Sequence, residues 1–430
     1  MDHAIAAPAQ QAEDILFATL LQLIVIILAA RCASIALRRM GQPAVVGEIL
    51  AGLLLGPSLL GHALPGVSHF LFSPIAALPI TIMSQIGLIF LMFQIGSEFE
   101  FGHLAQPRNK TAVIAISVAS IMAPFWLGLL IGSISAPILA PSVEVLPYCL
   151  FIGVALAITA IPVLGRIMRD FDLTPTAVGT IAISAAAVND VVGWLLLAGV
   201  SAYATMHFSA IGSLLQVVGI VAFAVVFRLA GTAWTNGLLR IFPMDGGRIS
   251  PGLMTSVIAM VLGFGICTHL LGIFAIFGGF AAGLLFHRHP AFVAAWRHQI
   301  GQFVAVFFVP LYFTYTGLRT NVLGLTTQTD WMWCSIFLSA AVVGKVASVY
   351  AAGRLSGLSP SESSVIGVLM NTRGLMELIV LNIGFDLGFI PQHVFTMLVI
   401  MALATTFMTA PLLRLALPRV HHRLVARPET

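Results

Sequence analysis

The sequence predicts an all-α polytopic membrane protein with about thirteen transmembrane helices. Hydrophobic residues make up 59% of the 430 residues and charged residues only 8%, whereas an average soluble domain has about 25% charged residues. The mean hydropathy is +1.03, and long apolar runs follow one another with short loops between them. The formal net charge of +4 is spread over these loops, so it indicates membrane topology and not a nucleic-acid-binding surface.

The first helix is predicted from a long apolar run near the N-terminus. Residues 1–14 carry acids and neither Lys nor Arg, and the following run reaches about Leu37 before Arg38 and Arg39. It is too long for a signal-peptide core and ends in a positive stop, so we expect an extra N-terminal helix within residues 1–42. Further spans are predicted at about 43–61, 76–99, 110–135, 146–169, 176–203, 209–231, 250–270, 272–286, 298–317, 331–354, 360–386 and 390–417.

Loop charges test this order of helices. All the basic residues of the predicted loops except Arg319 fall on the side of the C-terminal tail. Because cytoplasmic loops are rich in Lys and Arg, we expect a plasma (inner) membrane protein with its N-terminus outside and its C-terminus cytoplasmic. The longest loop, predicted at 231–250, carries turn signals at Pro243 and Gly246-Gly247.

Short loops imply that the activity resides in the membrane bundle. We expect neither an enzyme nor a resident cofactor, because no nucleophile, metal or phosphate motif rises above chance. The cysteines have no paired spacing and indicate neither disulfides nor a metal site. They are Cys32, Cys149, Cys267 and Cys334.

A weak internal repeat relates the two halves of the chain. GEILAGLLLGP at 47–57 resembles FGGFAAGLLFHRHP at 277–290, and similar phrases end at Gly96 and Gly317. The offset of seven helices is odd, so the halves would have opposite orientations, as in many secondary transporters; chance similarity of Gly, Ala and Leu is the alternative. The proposed parts of a single unit 1–430 are a first repeat 43–207, a linker helix and loop 208–250, a second repeat 251–417 and a cytoplasmic tail 418–430.

Two predicted helices contain helix-breaking phrases at matching positions of this repeat. The fifth reads ITAIPVLGR, where Pro162 removes a backbone donor and Thr159 can bond freed groups. The twelfth reads MNTRGLMEL, where Asn371 and Gly374 weaken the helix around Arg373. Discontinuous helices in equivalent positions predict an ion site near the membrane midplane, because half-helix ends direct their dipoles at it.

The strongest candidate site residue is Asp190, in the phrase SAAAVNDVVGW. It is the one charged residue of the predicted span 176–203. A charged side chain at mid-membrane costs about 2.5–3.5 kcal/mol even by low estimates, and such residues usually mark an ion or proton route. The alternative is an acid that a buried cation holds permanently as a structural ion pair.

Besides Asp190, we expect four ionisable residues to lie within the membrane. Lys345 would pair with Asp190 or take part in proton transfer, unless its long side chain reaches the cytoplasmic surface. Arg373 and Glu377 share a helix face at a spacing of four and could pair structurally. Glu48 follows the start of its helix. There it would either be stabilised by the helix dipole or belong to a cation entrance.

Five phrases together resemble the monovalent cation/proton antiporter superfamily, in its Kef-type and plant cation/proton exchanger branch of the sodium/hydrogen exchanger family. They are PAVVGEILAGLLLGPSLLG, IGLIFLMFQIGSEFE, ITAIPVLGRIM, AAAVNDVVGWLLLA and MNTRGLMELIVLNIG. The resemblance runs from about Pro43 to Ile383. It implies a homodimer in the sodium/proton antiporter fold, in which a core domain with two crossed discontinuous helices moves against a dimerisation domain.

The resemblance also implies roles for individual residues. Asp190 would bind the transported Na⁺ or K⁺ and, in competition, the proton, with Asn189 beside it and Thr159 and Asn371 at the helix breaks. The charge-compensating residues would be Lys345, Arg373 and Glu377. Asn at 189 is linked to electroneutral exchange and Lys at 345 to electrogenic exchange, so the stoichiometry stays open. We expect no cytoplasmic nucleotide-binding domain of the kind that full Kef systems have.

We therefore expect a secondary antiporter for pH homeostasis that exchanges H⁺ for Na⁺ or K⁺ by alternating access. Burial favours the neutral form of an acid, so either a proton or a cation can neutralise Asp190 and allow the site to cross the bilayer. The alternatives are an uncoupled K⁺ efflux channel of the same fold and a transporter-like sensor without flux.

Overall fold

The computed structural model describes residues 2–40, 42, 44–98, 110–159, 161–171, 173, 176–205, 210–271 and 274–417. These residues form helices and turns, with one isolated β-bridge between Asp245 and Arg248. The α-helices are α1 Asp2–Arg39, α2 Ala44–Leu55, α3 Leu60–Ala63, α4 Pro65–Leu71, α5 Ala77–Ser97, α6 Lys110–Leu139, α7 Val145–Ala157, α8 Ile161–Asp170, α9 Ala177–Thr205, α10 Ala210–Ile241, α11 Pro251–Leu270, α12 Ala275–Phe286, α13 Pro290–Trp296, α14 Val309–Leu318, α15 Gln328–Leu355, α16 Pro360–Met370, α17 Leu375–Asp386 and α18 Gln392–Ala416.

The all-α membrane architecture is confirmed. Within the described ranges, eight helices are long and apolar enough to cross a membrane, or ten if each of two bent pairs is one span. The remaining predicted spans fall on the shorter apolar helix α12 and on two interrupted helices, α7 with α8 and α16 with α17.

Two details differ from the sequence-based boundaries. The loop predicted at 231–250 is wrong in its first half, because α10 continues to Ile241. No proline lies between Gly231 and Ile241, so nothing in that stretch removes a backbone donor. The turn lies where Gly246 and Gly247 adopt φ of 53° and 79°. At the other end of the chain, α1 already begins at Asp2, within the predicted polar N-terminal segment.

Several helix starts follow from local capping. Ser359 accepts a hydrogen bond from the backbone of Glu362, whose carboxylate accepts one from the Ser359 backbone, and Pro360 occupies the first helical position of α16. Thr327 and Asp330 form the same reciprocal capping box on α15. These caps satisfy backbone donors that a helix start leaves unpaired, so they fix where each helix begins.

The chain divides into two compact units, each discontinuous in sequence. The first comprises Met1–Ala29, Leu64–Glu100 and Ala198–Tyr315, and the second Ala30–Ala63, Phe101–Leu197 and Thr316–Thr430. The first unit contains an aromatic cluster in which Phe93 packs edge-on against Trp296, with ring centroids 4.5 Å apart. The second contains both interrupted helices and every candidate site residue. The repeat boundaries 43–207 and 251–417 stay a prediction.

Each interruption follows from the local backbone conformation. α7 ends at Ala157 because Ile158 is extended (φ −71°, ψ 145°), and α8 begins at Ile161. Pro162 lies in the first turn of α8, where a missing N–H costs little, so the break precedes the proline. α16 ends at Met370, and Gly374 precedes α17 with φ +143°, a conformation that other residues rarely adopt.

Candidate functional site

The two helix interruptions meet in the second unit. Thr159 lies in the break between α7 and α8, and its Oγ1 donates to the carbonyl of Met370, 3.0 Å away, at the end of α16. Both residues are buried. The last carbonyls of a helix have no intrahelical donor, so this bond satisfies one of them and joins the two breaks. Asn371, the next residue, consequently lies beside the break of the first interrupted helix.

Arg373 binds the end of α7 from the second interruption. Its Nη1 donates to the carbonyl of Ala155 at 2.6 Å and its Nη2 to that of Leu156 at 2.7 Å. Nη1 also pairs with Glu377 Oε1 at 2.8 Å, and both side chains are fully buried. Thr406 of α18 donates to the Arg373 carbonyl at 2.8 Å. The pairing expected from the spacing of four is present, and the guanidinium additionally caps a half-helix.

Lys345 binds the last carbonyl of the same half-helix. The side chain is fully buried in α15, so it does not reach the surface. Its Nζ donates to the carbonyl of Ser120 at 2.8 Å and to the carbonyl of Ala157. Together with Arg373 it places two cationic groups at the negative end of the α7 dipole, which stabilises them there. Arg373 is close enough to repel the Lys345 ammonium, and Glu377 and Asp190 are close enough to attract it.

Asn189 connects α9 to the first interruption. Its Oδ1 accepts from the backbone N–H of Thr159 at 3.1 Å, and its Nδ2 donates to Ser120 Oγ at 3.1 Å. Ser120 Oγ in turn donates to the carbonyl of Ser117 at 2.9 Å. Since that hydroxyl has a single proton, it acts only as an acceptor towards Asn189. The amide orientation at 189 is therefore fixed from both sides.

Asp190 is 3% exposed and lies near the middle of α9. Asn189 and Lys345 both bind Ser120 of α6, so the acid lies beside a hydrogen-bonded polar network. Among the described residues no group of three or more His, Cys, Asp or Glu could hold a metal ion.

Asn371 is the best placed of the predicted amide ligands. It is fully buried, and neither Oδ1 nor Nδ2 has a hydrogen-bond partner among the residues that the structure describes. A buried amide without partners costs free energy unless another ligand satisfies it. Thr159 Oγ1, by contrast, already donates to a carbonyl and keeps its lone pairs.

Glu48 lies away from this network, in contact with α1. It is the fifth residue of α2, one position beyond the first turn, and is 6% exposed. Its electrostatic neighbours include Arg38 and Arg31 of α1, and Ser34 of the same helix is within hydrogen-bonding reach. The helices approach closely here, since a Cβ on Gly47 would lie 2.7 Å from the Ser34 backbone. Its part in a cation entrance stays a prediction.

Three groups of this network are missed by sequence reasoning: Ser120, Thr406 and the carbonyls at the end of α7. A serine or threonine in an apolar helix carries little signal, since its hydroxyl usually bonds within its own helix. The carbonyls have no residue-type signature at all. They are recognisable only from where α7 ends.

A helical bundle in which two interrupted helices cross beside a buried acid is the architecture of a secondary transporter. Residues 24–415 match the family described as "Sodium/hydrogen exchanger, transmembrane". The chain is 36% identical over 408 residues to the Na⁺/H⁺ antiporter NhaS4 of Synechocystis, covering 94% of this chain and 98% of that protein. The chain belongs to the sodium/hydrogen exchanger family.

Two other proteins are similar to the chain, one in sequence and one in fold. Cation/H⁺ antiporter 17 of Arabidopsis thaliana is 35% identical over 396 residues, covering 91% of this chain and 47% of that protein. The chain thus spans about half the length of this plant relative. The sodium proton antiporter MjNhaP1 of Methanocaldococcus jannaschii has the same fold, with a TM-score of 0.63 and 17% identity, covering 95% of this chain and 99% of that one.

Proposed function

We propose that this protein exchanges protons for Na⁺ or K⁺ across a membrane, with both ions competing for Asp190. The observation that carries the proposal is an acid, 3% exposed, in the middle of an apolar helix beside the crossing of two interrupted helices. The name of the relative NhaS4 supports Na⁺ as the cation. The plant relative's name leaves the cation open, so both ions are tested.

Competition follows from the energetics of a buried carboxylate. An ionised acid in a low-dielectric site is costly, and either a bound proton or a partly dehydrated cation removes that cost. Because the two cannot occupy the carboxylate together, loading with one releases the other. The site then reorients only in a loaded form, which couples the two fluxes.

The surrounding groups hold the site in one geometry. Lys345 and Arg373 are held by backbone carbonyls, and Asn189 is oriented by Ser120 and by the Thr159 backbone. We assign cation ligation to Asp190 with Asn371 and Thr159, whose oxygens lie at or beside the breaks. Charge compensation falls to Lys345 and Arg373.

Alternating access would follow the scheme that the family resemblance implies. The second unit, which contains both interrupted helices, would correspond to the moving core domain, and a homodimer would form through the other domain. The basic loops would face the cytoplasm, with the N-terminus outside. Labelling of single cysteines introduced at Arg248 and at Thr326 tests that orientation, because only the former should be protected from an impermeant reagent in intact cells.

The decisive experiment is proton flux in proteoliposomes with an imposed pH gradient, with Na⁺ or K⁺ added in turn. The native protein should collapse the gradient on cation addition, and Asp190→Asn should not, although it should fold and elute normally. Asp245→Asn removes an exposed loop acid and should behave as the native protein does. Retained exchange in Asp190→Asn would refute the mechanism, and K⁺ flux without any proton movement would establish the channel alternative.

A further inference from the structure

Helix α6 contains a proline in its interior, at the level where α15 packs against it. Pro124 is buried and the helix continues past it from Lys110 to Leu139. Gly344 lies against it, since a Cβ at 344 would be 3.5 Å from the Pro124 Cα. A proline inside a helix costs about 3 kcal/mol, because it removes the hydrogen bond to the carbonyl four residues earlier and clashes with it.

The carbonyl four residues before Pro124 is that of Ser120. This is the carbonyl to which Lys345 donates at 2.8 Å. The other acceptor of the same ammonium is Ala157, the last residue of α7. The Lys345 ammonium is therefore bound by two carbonyls that both lack their usual backbone donor. The Ser120 carbonyl lacks it because of the proline, and the Ala157 carbonyl lacks it because α7 ends there.

We propose that Pro124 is a positioning residue that acts through the Ser120 carbonyl to hold the Lys345 ammonium away from Asp190. The argument rests on the proposed function. If Lys345 lost one of its carbonyl partners, its flexible side chain would be freer to approach the carboxylate with which it already interacts electrostatically. It would then compete with the transported cation.

Pro124→Ala restores the backbone N–H and lets the Ser120 carbonyl bond within its own helix. A purely structural proline would give a variant of equal or higher thermal stability with unchanged transport. Our proposal predicts a rise in the apparent KM for the cation on the order of tenfold, the size expected for one hydrogen bond to a charged group, and a shift of the pH of half-maximal exchange to lower values.

Pro137→Ala is the matched control. Pro137 also lies inside α6. The carbonyl that this proline leaves without a donor belongs to Ser133, on an exposed face of the helix. This variant should leave both KM and the pH profile unchanged. Pro124→Ser restores the same N–H and serves as a second variant if the alanine variant does not fold.

A thermodynamic cycle with Lys345→Met gives a readout that does not depend on transport. Pro124→Ala should raise the thermal midpoint more in the Lys345→Met background than in the native background, where the loss of the ammonium contact offsets the gain. Pro137→Ala should give the same change in both. Equal changes for Pro124→Ala in both backgrounds, with unaltered KM, would overturn the proposal, whereas absence of exchange in the native protein would refute the proposed function instead.

Discussion

Loss of Arg373 should be partly rescued by a second substitution at Glu377. Arg373→Met leaves the carbonyls of Ala155 and Leu156 without their donors, which costs about 1–3 kcal/mol for each buried group. It also leaves Glu377 buried without its partner, and breaking a buried ion pair from one side costs about 3–5 kcal/mol. The single variant should therefore be destabilised by about 5–11 kcal/mol.

Adding Glu377→Leu removes the unpaired acid and leaves only the two uncapped carbonyls. The double variant should thus be destabilised by about 2–6 kcal/mol and recover about 3–5 kcal/mol relative to Arg373→Met alone. The measurement is the free energy of unfolding from SDS titration in mixed micelles, supported by the thermal midpoint of purified protein. Both variants should lose transport, so stability is the informative readout.

The control adds Glu98→Leu to Arg373→Met. Glu98 is a partly exposed acid 3.6 Å from Arg297, and its removal should recover nothing, because exposed pairs contribute only about 0–1 kcal/mol. A double variant Arg373→Met/Glu377→Leu that is less stable than Arg373→Met would refute the reasoning about the ion pair. A double variant as stable as the native protein would refute the reasoning about the α7 carbonyls.

Three further predictions concern the same crossing. Lys345→Met should lower the thermal midpoint and the exchange rate, because it leaves two buried carbonyls without donors at about 1–3 kcal/mol each; unchanged stability would contradict this. Thr159→Val should cost about 1–2 kcal/mol by chemical unfolding, more than Thr405→Val, whose hydroxyl bonds within its own helix. Gly374→Ala should cost about 1–3 kcal/mol, because φ is +143° there, whereas Gly263→Ala, with open space around it, should be neutral or slightly stabilising.

The sequence predicts the positions of the interruptions and of the buried charges. Pro, Gly and Asn in apolar helices have strong local effects on the backbone, so both breaks are predicted within a few residues. Burial of Lys345 and pairing of Arg373 with Glu377 follow from span length and helical spacing. Even so, the first break begins at Ile158, before Pro162, because a helix start tolerates proline better than a helix interior does.

What the sequence does not reveal is which backbone groups the charges bind. The partners of Lys345 lie 225 and 188 residues away along the chain, and carbonyls occur in every residue. One usable signal exists in the sequence: an interior proline marks a carbonyl four residues earlier as a candidate acceptor. The role of Ser120 as an amide acceptor has no such marker, because it depends on the register of α6 against α9.

The balance of charge at the crossing bears on the stoichiometry. Asp190 and Glu377 carry two formal negative charges and Lys345 and Arg373 two positive ones, so this described set is neutral with an ionised, unloaded acid. One proton or one monovalent cation on Asp190 gives the same net charge of +1. Exchange by the proposed competition at Asp190 would then be one for one and electroneutral, as long as Lys345 keeps its proton throughout.

If the arriving cation also expels a proton from Lys345, each cycle exchanges two protons for one cation and moves net charge. The two cases are separated by measuring exchange in proteoliposomes with the membrane potential clamped by K⁺ and valinomycin, using Na⁺ as the substrate. A voltage-dependent rate in the native protein that becomes voltage-independent in Lys345→Met would assign the additional proton to this lysine. A rate that is independent of voltage in both would leave Asp190 as the group that exchanges its proton, with Lys345 fixed on its two carbonyls.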